Sequence, residues 1–188
     1  EYLTAWEEYL KGEGKVLKFV PASGAASRMF KNLFEYLDNE EKTDFIAKFE
    51  NNLDKFAFID DLKEAIAKNG GDESLKTAIA TLLGNEGLSY GNLPKGLLKF
   101  HKYEDGARTP VEGALYASGK NGCVSVHFTV SPEHRPLFEE LVSKVSQKYE
   151  EKFGVKYSIS FSEQKSSTDT VAANPDTTPF RDKTGKIL

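Results

Sequence analysis

The stretch VLKFVPASGAASRMF, residues 16–30, decides the fold class of this sequence. Lys18 is the only polar residue among its first five, which predicts a strand that ends at Pro21. Small residues fill the turn that follows, and from Met29 onward the apolar residues recur at helical spacing. A strand, a tight turn and a helix in this order form the first unit of an α/β fold.

Two further strands and a long helix continue this alternation. Strand character returns over 123–130, and residues 157–161 alternate between apolar and polar. Between them, Ser131 and Pro132 predict an N-cap and a first helical position for a helix that runs to about Phe153. The order strand, helix, strand, helix, strand predicts a Rossmann-like fold with a mostly parallel sheet.

Ligands of such sheets bind at the carboxyl ends of the strands, which fall here at Ser23, Thr129 and Ser162. Residues from about 40 to 90 form a helical insertion in this fold, in which Asp72 is expected to cap a helix. The insertion has two possible roles: it could cover the site as a lid, or it could present a surface to another chain. We expect residues 1–188 to be one partial α/β domain, and the sequence to be a fragment of a longer protein.

Composition limits the classes of partner. The 188 residues are 39% hydrophobic, which suffices for a core, and no apolar run is long enough to cross a bilayer, so no membrane partner is expected. The net charge of −4 argues against sequence-independent binding of nucleic acid. Cys123 is the only cysteine, which excludes an intrachain disulfide and fits a cytoplasmic setting. It is expected to be a small buried hydrophobe.

The turn at residues 22–28 is the strongest candidate site. It is expected to open a helix, so its N–H groups and the helix dipole favour an anion, to which Arg28 adds a full positive charge. The turn has neither the Gly-Lys-Ser/Thr of a Walker loop nor the three glycines of the dinucleotide fingerprint. A strand-to-helix turn whose small residues serve only close packing is the other interpretation.

The same turn resembles the signature loop of sugar nucleotidyltransferases, which usually reads Ala-Gly-Gly-x-Gly-Thr-Arg followed by Met or Leu. Residues 94–96, Pro-Lys-Gly, match the second part of that signature and are typical of UDP-sugar pyrophosphorylases. Residues 161–164 resemble their Phe-x-x-Gln strand, and 185–188 resemble their Gly-Lys-Ile-Leu segment. The whole sequence also resembles a bacterial family of unknown function, through phrases such as FVPASGAASRM.

The pyrophosphorylase resemblance implies a fold of the nucleotide-diphospho-sugar transferase type. It implies transfer of a nucleotidyl group from a nucleoside triphosphate to a sugar 1-phosphate, with release of pyrophosphate and with Mg²⁺ as cofactor. Arg28 would face the leaving pyrophosphate, Lys95 would neutralise phosphate charge, and the Gln164 amide would contact the nucleobase. The loop residues implied to lie against the nucleotide are Ser23, Gly24, Ala25, Ala26 and Ser27.

Two departures from that family keep other functions open. Ala26 replaces the second glycine of the loop, and the metal-binding Asp of such enzymes has no match before Leu188. A non-catalytic nucleotide or sugar-nucleotide binding module is therefore one alternative. A structural α/β domain in which Arg28 makes an internal ion pair is another. The base, the sugar and the oligomeric state do not follow from the sequence.

Other residues with chemical capacity have simpler expected roles. Asp169 is a candidate for contact with a metal or a sugar hydroxyl, and an Asx turn is its expected role. His127 and His134 are too far apart in sequence for a helical metal pair, and capping and solvent account for His134. No Gly-x-Ser-x-Gly elbow is present, so a hydrolase triad has no anchor.

Overall fold

A computed structural model describes residues 1–72, 74–117, 119–168 and 170–187, so Asp169 and Leu188 of the predictions above lie outside the described residues. In chain order, its helices and strands are α1 Tyr2–Lys11, β1 Lys18–Pro21, α2 Lys31–Asn39, α3 Asp44–Asn51, α4 Ile59–Lys68, α5 Leu75–Leu83, β2 His101–Tyr103, β3 Gly106–Arg108, α6 Pro110–Ala114, β4 Cys123–Val130, α7 Arg135–Phe153 and β5 Lys156–Glu163. Short 3₁₀ turns lie between some of them.

A three-stranded parallel sheet in the order β1-β4-β5 confirms the α/β class. Pro21 pairs with Thr129, and Thr129 pairs with Ser162. The three carboxyl ends predicted from the sequence therefore lie side by side at one edge of the sheet. Ligand sites of open parallel sheets are found at this edge.

The sheet buries one face. Residues 124, 126, 128 and 130 of β4 alternate with more exposed neighbours, and each is at most 1% exposed. Phe138 of α7 packs against this face and is fully buried. The opposite face of β4 carries polar side chains, among them half-buried His127. This alternation is that of a sheet with one face on the core and one face polar.

Helices α2 to α5 pack around a second hydrophobic cluster. Its members reach beyond the predicted insertion, from Ala26 in the loop after β1 to Leu98. The cap of α5 differs from the prediction: Ser74 Oγ accepts from the N–H of Thr77 at 3.2 Å, and Asp72 instead accepts from the N–H of Ser74 at 3.0 Å. Asp72 thus fixes the residue that caps the helix. Within the described residues, none of the helices has the length and apolar character to cross a membrane.

Two predicted boundaries differ in the structure, and a third agrees. Helix α2 begins at Lys31, because a turn closed by the N–H of Met29 on the carbonyl of Ala26, at 2.9 Å, comes first. Ser131 makes no side-chain cap, and a 3₁₀ turn precedes α7. The end of α7 at Phe153 is confirmed, where Gly154 takes a left-handed conformation with φ 64°.

Two local predictions need correction. Cys123 is exposed, because it starts β4 at the rim of the sheet and precedes the first buried position, Val124. The hairpin of β2 and β3, whose strands are three residues each, is a second difference from the prediction. Asp105-Gly106 at its turn is a known hairpin signal, and Gly106 has φ 123° there.

Candidate anion site at the carboxyl edge of the sheet

Both ends of the loop after β1 are held by contacts with the rest of the chain. The N–H of Ala22 donates to the carbonyl of Thr129 at 2.7 Å, which continues the pairing of β1 with β4. At the other end, Ala26 is 1% exposed and belongs to the helical cluster. Small side chains at these two positions let the loop pass between the sheet and the helices. The loop between them has little freedom to move.

Between these anchors the backbone offers a row of hydrogen-bond donors. In the part of the chain that the structure describes, the N–H groups of residues 23–25, 27 and 28 donate to no protein acceptor, whereas that of buried Ala26 faces the carbonyl of Leu93 in the bridge between Ala25 and Pro94. Gly24 has open space around the position that a Cβ would take. Neither Gly24 nor Ala26 has a positive φ, so the Ala26 departure from the signature causes no backbone strain. Since α2 begins only at Lys31, these N–H groups, and not the helix end, provide the polarity of the loop.

The Pro94–Gly96 segment packs directly on this loop. The N–H of Lys95 donates to the carbonyl of Gly24 at 3.0 Å, and Pro94 forms an isolated bridge with Ala25. Gly96 is buried, and a Cβ there would lie 2.9 Å from the ring of Phe138. The glycine is therefore required by packing. These contacts fix the backbone of Lys95 beside the loop.

Gln164 directly follows β5 and lies at the same edge of the sheet. Its side-chain oxygen Oε1 accepts a hydrogen bond from the hydroxyl of Ser23 at 2.7 Å. Its backbone N–H donates to the carbonyl of Val130 at 2.9 Å. The preceding residue, Glu163, pairs with Arg135 at 3.0 Å, and hydrogen bonds from Arg135 to Glu139 and Glu163 raise the pKa of the guanidinium. The structure thus brings the loop, the Lys95 segment and Gln164 together.

The two predicted cationic side chains are both exposed. Within the described residues, neither Arg28 nor Lys95 makes a side-chain hydrogen bond, an ion pair or a ring contact. The internal ion pair expected of Arg28 in a purely structural domain is therefore not found there. Within the described residues, the Arg28 guanidinium contacts neither Lys95 nor Gln164. These two residues therefore meet the backbone of the loop, and the Arg28 side chain is not part of that meeting.

The side chains at this edge do not fit a metal ion. No group of three or more His, Cys, Asp and Glu side chains suited to a metal occurs in the described ranges. Glu163, the carboxylate beside Gln164, already binds Arg135. Mg²⁺ prefers oxygen ligands such as carboxylates, and the described residues do not supply them here. Among the described residues, the Mg²⁺ implied by resemblance thus has no carboxylate cluster to bind it.

His134 was assigned to capping by the sequence analysis, and the structure gives it a different environment. Its Nδ1 lies 2.7 Å from the hydroxyl of Ser131, and its Nε2 lies 3.1 Å from the carbonyl of Asn92. The second contact joins the start of α7 to the segment that leads to Lys95. No sequence pattern indicates it, because the two residues are 42 positions apart.

His127 lies on the polar face of the sheet. Its two ring nitrogens are each 2.8 Å from a hydroxyl of β5, those of Ser160 and Ser162, and its ring stacks on Phe19 at 5.4 Å. Ser162 also contacts the hydroxyl of Thr129 at 3.1 Å. Both nitrogens are engaged, which accounts for this histidine without a metal.

The fold and the site define an α/β protein with a candidate anion-binding loop at the carboxyl edge of a parallel sheet. The chain belongs to the family described as "Domain of unknown function (DUF4301)", whose sequence model matches residues 1–188. The expected membership in a family of unknown function is thereby confirmed. Neither a curated protein nor a solved structure matches the chain. The likeness to sugar nucleotidyltransferases rests on the quoted motifs alone.

Proposed function

We propose that the chain is a nucleotidyltransferase-like domain with a Rossmann-like fold of the nucleotide-diphospho-sugar transferase type. It transfers a nucleotidyl group from a nucleoside triphosphate to a sugar 1-phosphate and releases pyrophosphate. The observation that carries this proposal is the meeting of the 23–28 loop, Lys95 and Gln164 at one edge of the sheet. They belong to three of the four motifs that resemble sugar nucleotidyltransferases, and they are far apart in sequence.

The loop suits phosphate by its chemistry. Its unpaired N–H groups can donate to phosphate oxygens, as backbone nests do in other anion sites. Arg28 and Lys95 add positive charge on exposed side chains that no protein group neutralises within the described residues. Because the protein carries a net charge of −4, this positive charge is a local feature that favours a small anion over a nucleic acid.

The reaction needs no protein nucleophile. An oxygen of the sugar phosphate attacks the α-phosphorus of the nucleotide, a new P–O bond forms, and the bond to the leaving pyrophosphate breaks. Catalysis then depends on positioning and on positive charge where negative charge develops. Arg28 would stabilise the departing pyrophosphate, Lys95 would bind the phosphates, and Gln164 would orient the base. The hydrogen bond between Ser23 and Gln164 would hold that amide in place.

A binding module without turnover is the second candidate. The observation that favours it is the absence of a suitable carboxylate cluster from the described residues. Such a module would use the same loop to hold a nucleotide or a sugar nucleotide. The two candidates differ in pyrophosphate release, and they share the affinity for the nucleotide.

We expect Arg28→Ala and Lys95→Ala each to weaken UTP binding about tenfold or more, since hydrogen bonds between charged groups contribute about 1.5–3 kcal/mol. Isothermal titration of the whole chain with UTP in the presence of Mg²⁺ measures this loss. Lys144→Ala, which removes an equal charge from an i, i+4 pair with Glu140 on α7, is the matched control and should leave the affinity unchanged.

Turnover separates the candidates. Pyrophosphate release from a nucleoside triphosphate and a sugar 1-phosphate, lost in Lys95→Ala, supports the enzyme. Tight binding of UTP or a UDP-sugar without release supports the binding module. A chain that binds neither UTP, nor a UDP-sugar, nor pyrophosphate contradicts both.

A further inference from the structure

The imidazole of His134 connects two segments that meet beside the candidate site. Ser131, at the end of β4, contacts Nδ1, and the carbonyl of Asn92 contacts Nε2. A carbonyl oxygen only accepts hydrogen bonds, so Nε2 carries a proton, while Nδ1 lies beside the Ser131 hydroxyl. Both ring nitrogens thus have a hydrogen-bond partner, and the side chain is only 24% exposed. The ring is held in one orientation.

We propose that His134 is a positioning residue for Lys95. Its Nε2–H holds the carbonyl of Asn92, three residues before Lys95, and so fixes the 92–96 segment against the loop after β1. The importance of Lys95 itself rests on the proposed function. The contact made by His134 does not, because it is a feature of the folded chain.

Three contacts with distant residues help to hold the 92–96 segment. His134 binds Asn92 at its start, the carbonyl of Gly24 accepts from the N–H of Lys95, and Gly96 packs against Phe138 at its end. Two of the three restraints come from residues 134–138, at the start of α7. Binding sites gain affinity when the backbone of a binding residue is ordered before the ligand arrives. Asn92 is also held locally, since its N–H donates to the carbonyl of Ser89 at 2.9 Å and its side-chain amide donates to Asn85 at 2.7 Å, and His134 adds the restraint from α7.

Local capping does not explain this geometry. The backbone of His134 occupies the cap position of α7, and no side-chain cap bond is made there. The Nε2–H instead leaves the helix and reaches a carbonyl 42 residues earlier in the chain. Such a long-range contact orders the earlier segment and contributes little to the start of α7.

Two amide variants separate the two contacts of the ring. The side-chain nitrogen of glutamine is four bonds from Cα, as Nε2 of histidine is, so His134→Gln keeps a donor for Asn92. The side-chain oxygen of asparagine is three bonds from Cα, as Nδ1 is, so His134→Asn keeps a polar atom beside Ser131 and loses the contact with Asn92. The pair differs by one methylene group and preserves polarity.

Hydrogen exchange of the Lys95 amide tests the inference directly. We expect His134→Asn to speed this exchange about three- to tenfold, as the loss of one hydrogen bond implies, and His134→Gln to remain close to the wild type. The amide of Ile79 in the helical core reports global stability, and its exchange should speed up by no more than the same factor in His134→Asn and stay close to the wild type in His134→Gln. Ser131→Ala, which only frees the ring to turn, is a milder second variant and should give an increase of about threefold or less. Equal Lys95 exchange in wild type, His134→Asn and Ser131→Ala would overturn the proposal.

A double-mutant cycle shows whether the effect passes through Lys95. With inorganic pyrophosphate as the probe, His134→Asn should weaken binding in the wild-type background and have no further effect in Lys95→Ala. Equal losses in both backgrounds would contradict the positioning role. If the wild type binds neither pyrophosphate nor UTP, the proposed function fails, and the exchange rate of Lys95 still decides whether His134 orders the segment.

Discussion

At the scale of single residues, two glycines in the candidate site have opposite requirements. A Cβ on Gly96 would lie 2.9 Å and 3.0 Å from atoms of the buried Phe138 ring, whereas a Cβ on Gly24 would meet nothing within 4 Å. We therefore expect Gly96→Ala to lower the free energy of unfolding by about 1–3 kcal/mol through overpacking. Gly24→Ala should change it by about 0.5 kcal/mol or less.

Urea denaturation of the two variants measures this difference, and UTP titration adds a second one. The methyl group of Gly24→Ala stands among the unpaired N–H groups of the loop, so its main effect should be weaker UTP binding. A Gly24→Ala protein that is as destabilised as Gly96→Ala would show that the loop is closed by packing and not open to a ligand.

The sequence predicted which residues of the site belong together, but not the contacts that hold them. The loop, Lys95 and Gln164 could be grouped because each resembles a motif with a chemical role. The bond between Ser23 and Gln164 spans 141 positions, and neither residue type implies it. The same holds for His134 and Asn92. Local patterns carry no information about such pairs, which depend on how the elements pack.

At the scale of elements, the most regular pattern gave the most accurate prediction. The limits of β4 agree with the sequence because strict alternation ends at a Ser-Pro pair. The start of α2 was placed too early because the turn at residues 27–29 has the composition of a helix. The capping box of α6, in which Thr109 and Glu112 bind each other's backbone, was missed although its Thr-x-x-Glu spacing is visible in the sequence.

Tyr90 links elements of the helical cluster, and its ionisation should make their packing sensitive to alkali. Its ring contacts Phe30 before α2 and Phe58 before α4, and its hydroxyl accepts from the N–H of Lys99 at 3.1 Å. Burial, with a smaller contribution from Asp61, raises the pKa of Tyr90 to about 12. An unfolded tyrosine ionises near pH 10. The stability due to neutral Tyr90 is therefore complete below pH 10 and is lost as the pH rises to about 12.

The shift corresponds to about 2–3 kcal/mol at its upper limit. We expect the free energy of unfolding of the wild type to fall more steeply between pH 10 and pH 12 than that of Tyr90→Phe. At pH 8 the variant should be less stable by about 1 kcal/mol, because the N–H of Lys99 loses its acceptor. Urea denaturation across this pH range measures both effects. Parallel curves for the two proteins would contradict the assignment to Tyr90.

At the scale of the whole molecule, the candidate site lies where two hydrophobic clusters meet. Ala22 belongs to the cluster under the sheet, and Ala26 and Phe30 belong to the cluster of the helices. The Lys95 segment makes the same crossing, since Leu97 packs against the first cluster and Leu98 is buried in the second. Both chain segments of the site therefore pass from one core to the other.

A ligand held by both segments should stabilise both cores together. At a UTP concentration of one hundred times Kd, the folded state gains about 2.7 kcal/mol. We expect this gain to slow hydrogen exchange of central amides in each cluster, Ile79 of α5 and Val126 of β4, by similar factors. Lys95→Ala should remove the effect at both amides, because it weakens the binding that couples them. Protection that rises at only one of the two amides would place the ligand within a single core, away from the junction formed by the loop and Lys95.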